Sequence, residues 1–68
     1  MTITFNGKKV DLDQELSLNA LLEQKEIDPN QKGMALCLNL DVIPQSDWAT
    51  TTVNDQDRID LVIAAPGG

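Results

Sequence analysis

The sequence predicts an α+β domain in which one helix lies across one face of a mixed sheet of four to five strands. Three observations predict it. Only one segment, near residues 18–25, joins helical periodicity to a capping residue. Short runs of strand character flank it on both sides, the first pair joined by Asn6-Gly7. The first and last of these runs can pair as parallel neighbours through the sheet centre, which turns the short segments into one core.

Each element has a local reason. Residues 2–6 (Thr-Ile-Thr-Phe-Asn) alternate polar and apolar, as a half-buried strand does. Asn6-Gly7 tolerates the positive φ of a type I′ turn, so Lys8 to Leu12 reads as the returning strand, with Val10 and Leu12 on one face. Ser17 suits a helix N-cap, and Leu16 and Leu21 stand at the spacing of a hydrophobic staple. Leu18, Leu21 and Leu22 share one helical face, giving a helix from about Leu18 to Lys25. Asp28-Pro29-Asn30 is a loop the helix cannot cross, because the residue before proline avoids the helical region.

Met34 to Leu40 is a short apolar run between turn residues and reads as a central strand. Asn39-Leu40-Asp41 forms a tight turn, followed by Val42-Ile43 and Pro44. Ser46 to Ala49 reads as one helical turn capped by Ser46, and Thr51 to Val53 as extended chain. After a turn at residues 54–57, Arg58 to Ala65 is the last strand. Pro66, with no N–H for the ladder, stops it. The expected organisation is one domain over residues 1–65 and a flexible tail over 66–68.

Composition limits the function. A chain of 68 residues is a single small domain with no room for both a core and a deep active site. It has no histidine and one cysteine, Cys37, so neither a Cys/His metal set nor a Ser-His-Asp or Cys-His arrangement can form. The eleven Asp and Glu residues fall in no calcium-loop spacing, and no glycine-rich phosphate loop occurs. A net charge of −6 repels nucleic acid. The N-terminus lacks the pattern of a signal peptide, and no apolar run reaches membrane-spanning length, so a cytoplasmic location is expected.

Ala65-Pro66-Gly67-Gly68 is the feature these limits leave standing. Two glycines make a tail thin enough for a channel that no other residue would pass. A terminal carboxylate is ionised at neutral pH and is a poor electrophile, so it becomes useful only when another enzyme activates it. This pattern suits a carrier or tag and not a catalyst. Read alone, the dipeptide favours an idle, frayed end, and the rest of the chain has to decide.

Several segments together carry a family resemblance: Ala35-Leu36-Cys37-Leu38-Asn39, Val42-Ile43-Pro44, the Pro44 to Trp48 spacing, Asp55-Gln56-Asp57-Arg58-Ile59 and the Gly-Gly end. In these, and in its element order, the chain resembles the prokaryotic ubiquitin-like sulfur carriers of thiamine biosynthesis, which have the β-grasp fold. The motifs cover about the C-terminal half, while the N-terminal half agrees in pattern only. Two turn residues depart from the family pattern. Leu40 and Gln56 stand where glycine is frequent, which puts the geometry of those turns in question. Pro66 is also less usual at its position and would stiffen the tail.

The resemblance implies a chemistry for the tail. An adenylating, E1-like partner enzyme would use ATP and Mg²⁺ to convert the Gly68 carboxylate to an acyl-adenylate. A persulfide or sulfide from a sulfur-donor system would displace AMP, leaving a thiocarboxylate on Gly68, and thiazole synthase would take the sulfur. Gly67 and Pro66 serve reach and fit, and the chain itself binds no cofactor. The related small subunit of molybdopterin synthase shares this tail chemistry, and a ubiquitin-like protein modifier is compatible with the same end. The Pro44 to Trp48 spacing favours the thiamine branch. A β-grasp binding module with an idle tail is the remaining class.

Strand alternation offers a docking surface. Ile59, Leu61 and Ile63 should face the helix, leaving Asp60, Val62 and Ala64 on the other side. In the central strand Leu36 and Leu38 face inward, and Ala35, Cys37 and Asn39 outward. Val62, Ala64, Ala35 and Cys37 would then make a flat, small-residue patch for a partner, unless loops or Trp48 cover it. Cys37 reads as a small strand hydrophobe with no neighbour in sequence to activate it, and Trp48 as a packing anchor. Asp55, Asp57 and Asp60, placed near the base of the tail, are solvated turn residues or partners for arginines of another protein.

Overall fold

A computed structural model of the chain describes residues 1–64. β1 (Thr2–Phe5) and β2 (Lys8–Asp11) form an antiparallel hairpin. Asn6 and Gly7 carry φ of 49° and 82°, as a type I′ turn demands. The hairpin extends one pair beyond the strands, since the Leu12 N–H donates to Met1 O at 2.8 Å and the terminal amine of Met1 to Leu12 O at 2.9 Å.

Helix α1 (Leu18–Gln24) starts where its cap is: Ser17 Oγ accepts from the Ala20 N–H at 3.1 Å. Leu18, Leu21 and Leu22 are its buried residues. The helix ends before the Asp28-Pro29 loop for a reason of its own. Glu26 adopts φ 63°, its N–H donates to Glu23 O at 2.9 Å, and the Ile27 N–H donates to Leu22 O at 2.8 Å. This is a Schellman stop with glutamate where glycine is usual.

The remaining strands are β3 (Leu16–Ser17), β4 (Met34–Leu38), β5 (Asp41–Ile43), β6 (Thr52–Val53) and β7 (Arg58–Ile63). Five of the strands form one mixed sheet in the order β2-β1-β7-β4-β5. β1 and β7 are parallel, with Phe5 opposite Ile59, as the first and last strand segments were expected to be. β4 is antiparallel to both β7 and β5. Sequence patterning did not anticipate the second sheet, in which β3 pairs with β6 through Leu16–Val53 and Ser17–Thr52.

One core lies between the sheet and α1. Ile3, Phe5, Leu36, Ile59 and Leu61 fill it from the sheet, and the three helix leucines with Val53 and Trp48 fill it from the other side. Trp48 is 0% exposed, and its Nε1–H donates to Ile43 O at 2.7 Å. It anchors the segment after β5, as the sequence suggests. The adjoining 3₁₀ turn spans Gln45–Asp47, one residue earlier than expected, and Ser46 lies inside it without capping it. Gln45 ties this turn to the loop before β4, because its Nε2 donates to Pro29 O at 2.7 Å and to Gln31 O at 3.0 Å.

Both questioned turns keep their geometry without glycine. Asn39 and Leu40 have φ of 51° and 74°, and Gln56 has 70°. Side chains support them: Asn39 Nδ2 donates to Asp57 Oδ1 at 2.9 Å, and Asn39 Oδ1 accepts from the Arg58 N–H at 2.8 Å.

Candidate functional site

β7 carries the chain toward residues 65–68, and β4 determines where it leaves the sheet. The ladder between them runs from Leu38 opposite Ile59 to Met34 opposite Ile63. β7 ends at Ile63, two residues before the expected Ala65, but one more bond follows: the Ala64 N–H donates to Gly33 O at 2.7 Å. Gly33 has φ +82°, and a Cβ built on it would lie 3.5 Å from Ala64 O. That distance is an ordinary van der Waals contact, so what glycine supplies is the left-handed backbone conformation that aims Gly33 O at the Ala64 N–H. Pro66, Gly67 and Gly68, together with Ala65 at the expected strand end, lie outside the described residues.

The four residues expected to form a patch fall on one face. Ala35 is directly opposite Val62, and Cys37 is opposite Asp60 on one side and Val42 on the other. Val62 is 64% exposed and Val42 71% exposed, Ala35 and Ala64 are exposed, and Cys37 is half-buried. Trp48 packs in the main core and does not cover this face. Val42 enlarges the patch and was missed by sequence reasoning. The pairing of β4 with β5 that places it beside Cys37 was recoverable from the Asn39-Leu40 turn. Asp60 accepts from Arg58 Nε at 2.9 Å, which sets an ion pair at the rim.

Two expectations about this region are corrected. Ile63 follows the inward alternation of Ile59 and Leu61 but is 49% exposed. β7 outruns β1, whose pairing stops at Phe5–Ile59, so Ile63 has β4 on one flank and no paired strand on the other. Asp55 and Asp57 stand before β7 and not near the tail. A strand of six residues separates the two ends by about 20 Å. Both aspartates are used within the chain: Asp55 Oδ1 accepts from the Thr2 N–H and Asp57 Oδ2 from the Asn54 N–H, each at 2.7 Å.

Chemically, the described residues form a scaffold. Cys37 is free. Among the described residues, no group of three or more His, Cys, Asp or Glu is disposed to hold a metal, and no helix is long and apolar enough to cross a membrane. What the arrangement offers is a small apolar face beside a fixed point of departure for residues 65–68.

Comparison with known proteins identifies this scaffold. A crystal structure of the thiamine biosynthesis protein ThiS from Geobacter metallireducens matches with a TM-score of 0.84 and 27% identity, covering 100% of both chains. The five-stranded mixed sheet crossed by one helix is thus the β-grasp fold. The sulfur carrier protein ThiS of Escherichia coli is 35% identical over 68 residues, again covering 100% of both chains. A protein of Paramagnetospirillum magneticum named thiazole synthase is 29% identical over 68 residues, which are all of this chain and 20% of that one. The model of the ThiS family matches residues 2–68, and the chain belongs to that family.

Proposed function

We propose that this chain is a sulfur carrier of thiamine biosynthesis and that the Gly68 carboxylate is its reactive group. The observation that carries the reading is the family match, which spans residues 2–68 and so includes Gly67-Gly68. Its composition supports it, since a chain without histidine and with one half-buried cysteine is better suited to being acted upon than to catalysis. Residues 1–65 are the docking body and 66–68 the reacting tail.

An adenylating enzyme uses ATP and Mg²⁺, and the Gly68 carboxylate oxygen attacks the α-phosphate with loss of pyrophosphate. The acyl-adenylate has the leaving group that the carboxylate lacks. Sulfide sulfur then adds to the carbonyl carbon and the bond to AMP breaks, which leaves a thiocarboxylate. Thiazole synthase is the acceptor. A segment like this chain within a protein named thiazole synthase supports that pairing, because joining two partners raises the effective concentration of each for the other. Ala35, Cys37, Val62 and Ala64, with Val42 added, form the face that both enzymes grip. Pro66 and Gly67 fit the channel that leads to each active site. The chain works in the cytoplasm, where ATP and its partners are found.

Intact-mass spectrometry after incubation with ATP, the adenylating enzyme and a sulfur source tests the reading. The expected product is heavier by the exchange of one oxygen for sulfur at Gly68, and no change under conditions competent for a known carrier refutes it. Deleting Gly68 must abolish the product. Cys37→Ala must still yield the product, and its complete loss in a folded Cys37→Ala variant that still binds the adenylating enzyme would move the sulfur chemistry to the thiol.

A further inference from the structure

A groove of about 590 Å³ runs between β2 and the C-terminal end of α1, on the side of the sheet opposite the Ala35–Val62 face. Phe5, Val10 and Ile27 give it an apolar floor, and Lys8, Lys9 and Lys25 surround it. No carboxylate lines it. These are three of only five basic residues in a chain of net charge −6. Among the described residues none of the three makes an ion pair, and Lys25 Nζ lies 5.1 Å from the centre of the Phe5 ring. In a chain with such an excess of carboxylates, a cluster of unpaired lysines around an apolar floor favours an occupant that is both acidic and apolar.

β2 is also an edge strand, with β1 as its one partner in the sheet among the described residues. Phe5 and Lys8 close the two-residue hairpin as a hydrogen-bonded pair, and Ile3 with Val10 is the next such pair. The alternation turns the N–H and C=O groups of Lys9 and Asp11 away from β1, toward the free edge. A row of outward donors and acceptors beside an apolar groove is what an extended peptide needs in order to add as a strand.

We propose that the groove between β2 and α1 docks an extended segment of a partner protein, whose apolar side chains lie on Phe5, Val10 and Ile27, whose carboxylates meet Lys8 and Lys25, and whose backbone pairs with the outward N–H and C=O groups of Lys9. Asp11 sets the polarity along the edge. Carboxylates are repelled at its end of β2 and accepted at the hairpin end. The surface is separate from the face assigned to the sulfur-transfer enzymes, so the proposal stands whether or not that assignment does.

The test titrates the isotope-labelled full chain with a synthetic peptide of alternating valine and isoleucine next to a block of glutamates. A second peptide carries lysines in place of the glutamates. The expected result is amide shift changes confined to residues 8–11 and 24–27, slower exchange at the Lys9 and Asp11 amides, and no response to the lysine peptide. The double variant Lys8→Glu/Lys25→Glu should bind about tenfold more weakly, as the loss of two exposed charge pairs implies. Lys9→Pro removes an outward N–H while leaving the bonds to β1, so it should fold and fail to bind. If Lys9→Pro does not fold, the double charge variant decides. The proposal is overturned by no binding at millimolar peptide, by equal binding of the two peptides, or by shifts on the Ala35–Val62 face. It is equally overturned if inorganic phosphate shifts the same residues as strongly as the peptide, or if the groove responds to self-association of the chain alone.

Discussion

Replacing Leu40 with glycine should stabilise this protein, which is uncommon for the truncation of a large apolar side chain. Leu40 has φ 74° in the two-residue turn between β4 and β5 and is 75% exposed. A residue with a Cβ in the left-handed region costs roughly 1–2 kcal/mol. Glycine removes that cost but loses about 0.5–1 kcal/mol more backbone entropy on folding. The exposed side chain contributes little burial, so the net gain is roughly 0.5–1 kcal/mol, or about 2–8 °C in the melting temperature of a domain this size. Urea denaturation followed by circular dichroism should show a higher midpoint at unchanged slope. Leu40→Ala is the control. Alanine keeps the Cβ, so it should give little of the gain. A neutral or destabilised Leu40→Gly refutes the reasoning. So does a Leu40→Ala variant that gains as much, because the benefit would then come from removing an exposed apolar group and not from φ.

Glu26→Gly and Gln56→Gly obey the same logic at φ 63° and 70°, and each should raise the urea midpoint by a similar amount, roughly 0.5–1 kcal/mol. Glu26 shares no bond with the other two turns, so its gain should add to either of theirs in calorimetry, whereas Leu40 and Gln56 are joined through the Asn39–Asp57 bond and should show coupling. Trp48→Phe should destabilise by about 2–4 kcal/mol, because it leaves a void and deprives Ile43 O of the 2.7 Å indole donor. Equilibrium unfolding followed by far-ultraviolet circular dichroism checks this, and a loss under about 1 kcal/mol would contradict the burial. Gly33→Ala should cost about 1–2 kcal/mol through its +82° φ, and hydrogen exchange should quicken at the Ala64 amide first. Val62→Asp should leave stability within about 0.5 kcal/mol while slowing thiocarboxylate formation. An unaffected rate would remove Val62 from the docking face.

What the sequence discloses here is what local chemistry encodes. Asn6-Gly7 admits the φ pair of its turn, Ser17 caps the helix by a bond three residues away, and Pro66 and the glycines need no fold to be noticed. The features that escaped depend on distant partners. β3 and β6 have two residues each and exist because Leu16 meets Val53 across a separation no local pattern can announce. Glu26 carries no left-handed signature. The available sign was apolar Ile27 after the helix with apolar Leu22 five residues before it, the hydrophobic pair of a Schellman stop. Alternation correctly assigned Ile63 a face but could not tell that the face is uncovered there. The groove was invisible because Lys8, Lys9 and Lys25 belong to different elements. The misplacement of Asp55 and Asp57 was avoidable, since a strand of six residues must separate its first residue from its last.

The departure point of the tail and the two surfaces follow from one choice of topology. Placing β7 in the sheet centre gives it neighbours on both sides at its start but only β4 at its end. That end would fray if nothing continued the ladder. Gly33 continues it by one bond and so ties Ala64 to the same strand that carries Ala35 and Cys37. An enzyme docked on the proposed Ala35–Val62 face would therefore hold Ala64 at a set position relative to its own active site. The same central placement pushes β2 to the edge, with Lys8 and Val10 turned to the helix side beside Phe5 and Ile3. The open face and the β2 groove thus lie on opposite sides of one sheet. A protein seated in the groove would leave the Ala35–Val62 face clear, so the glutamate peptide should bind without slowing thiocarboxylate formation. A peptide that binds the groove and also inhibits that reaction would show that one enzyme spans both sides.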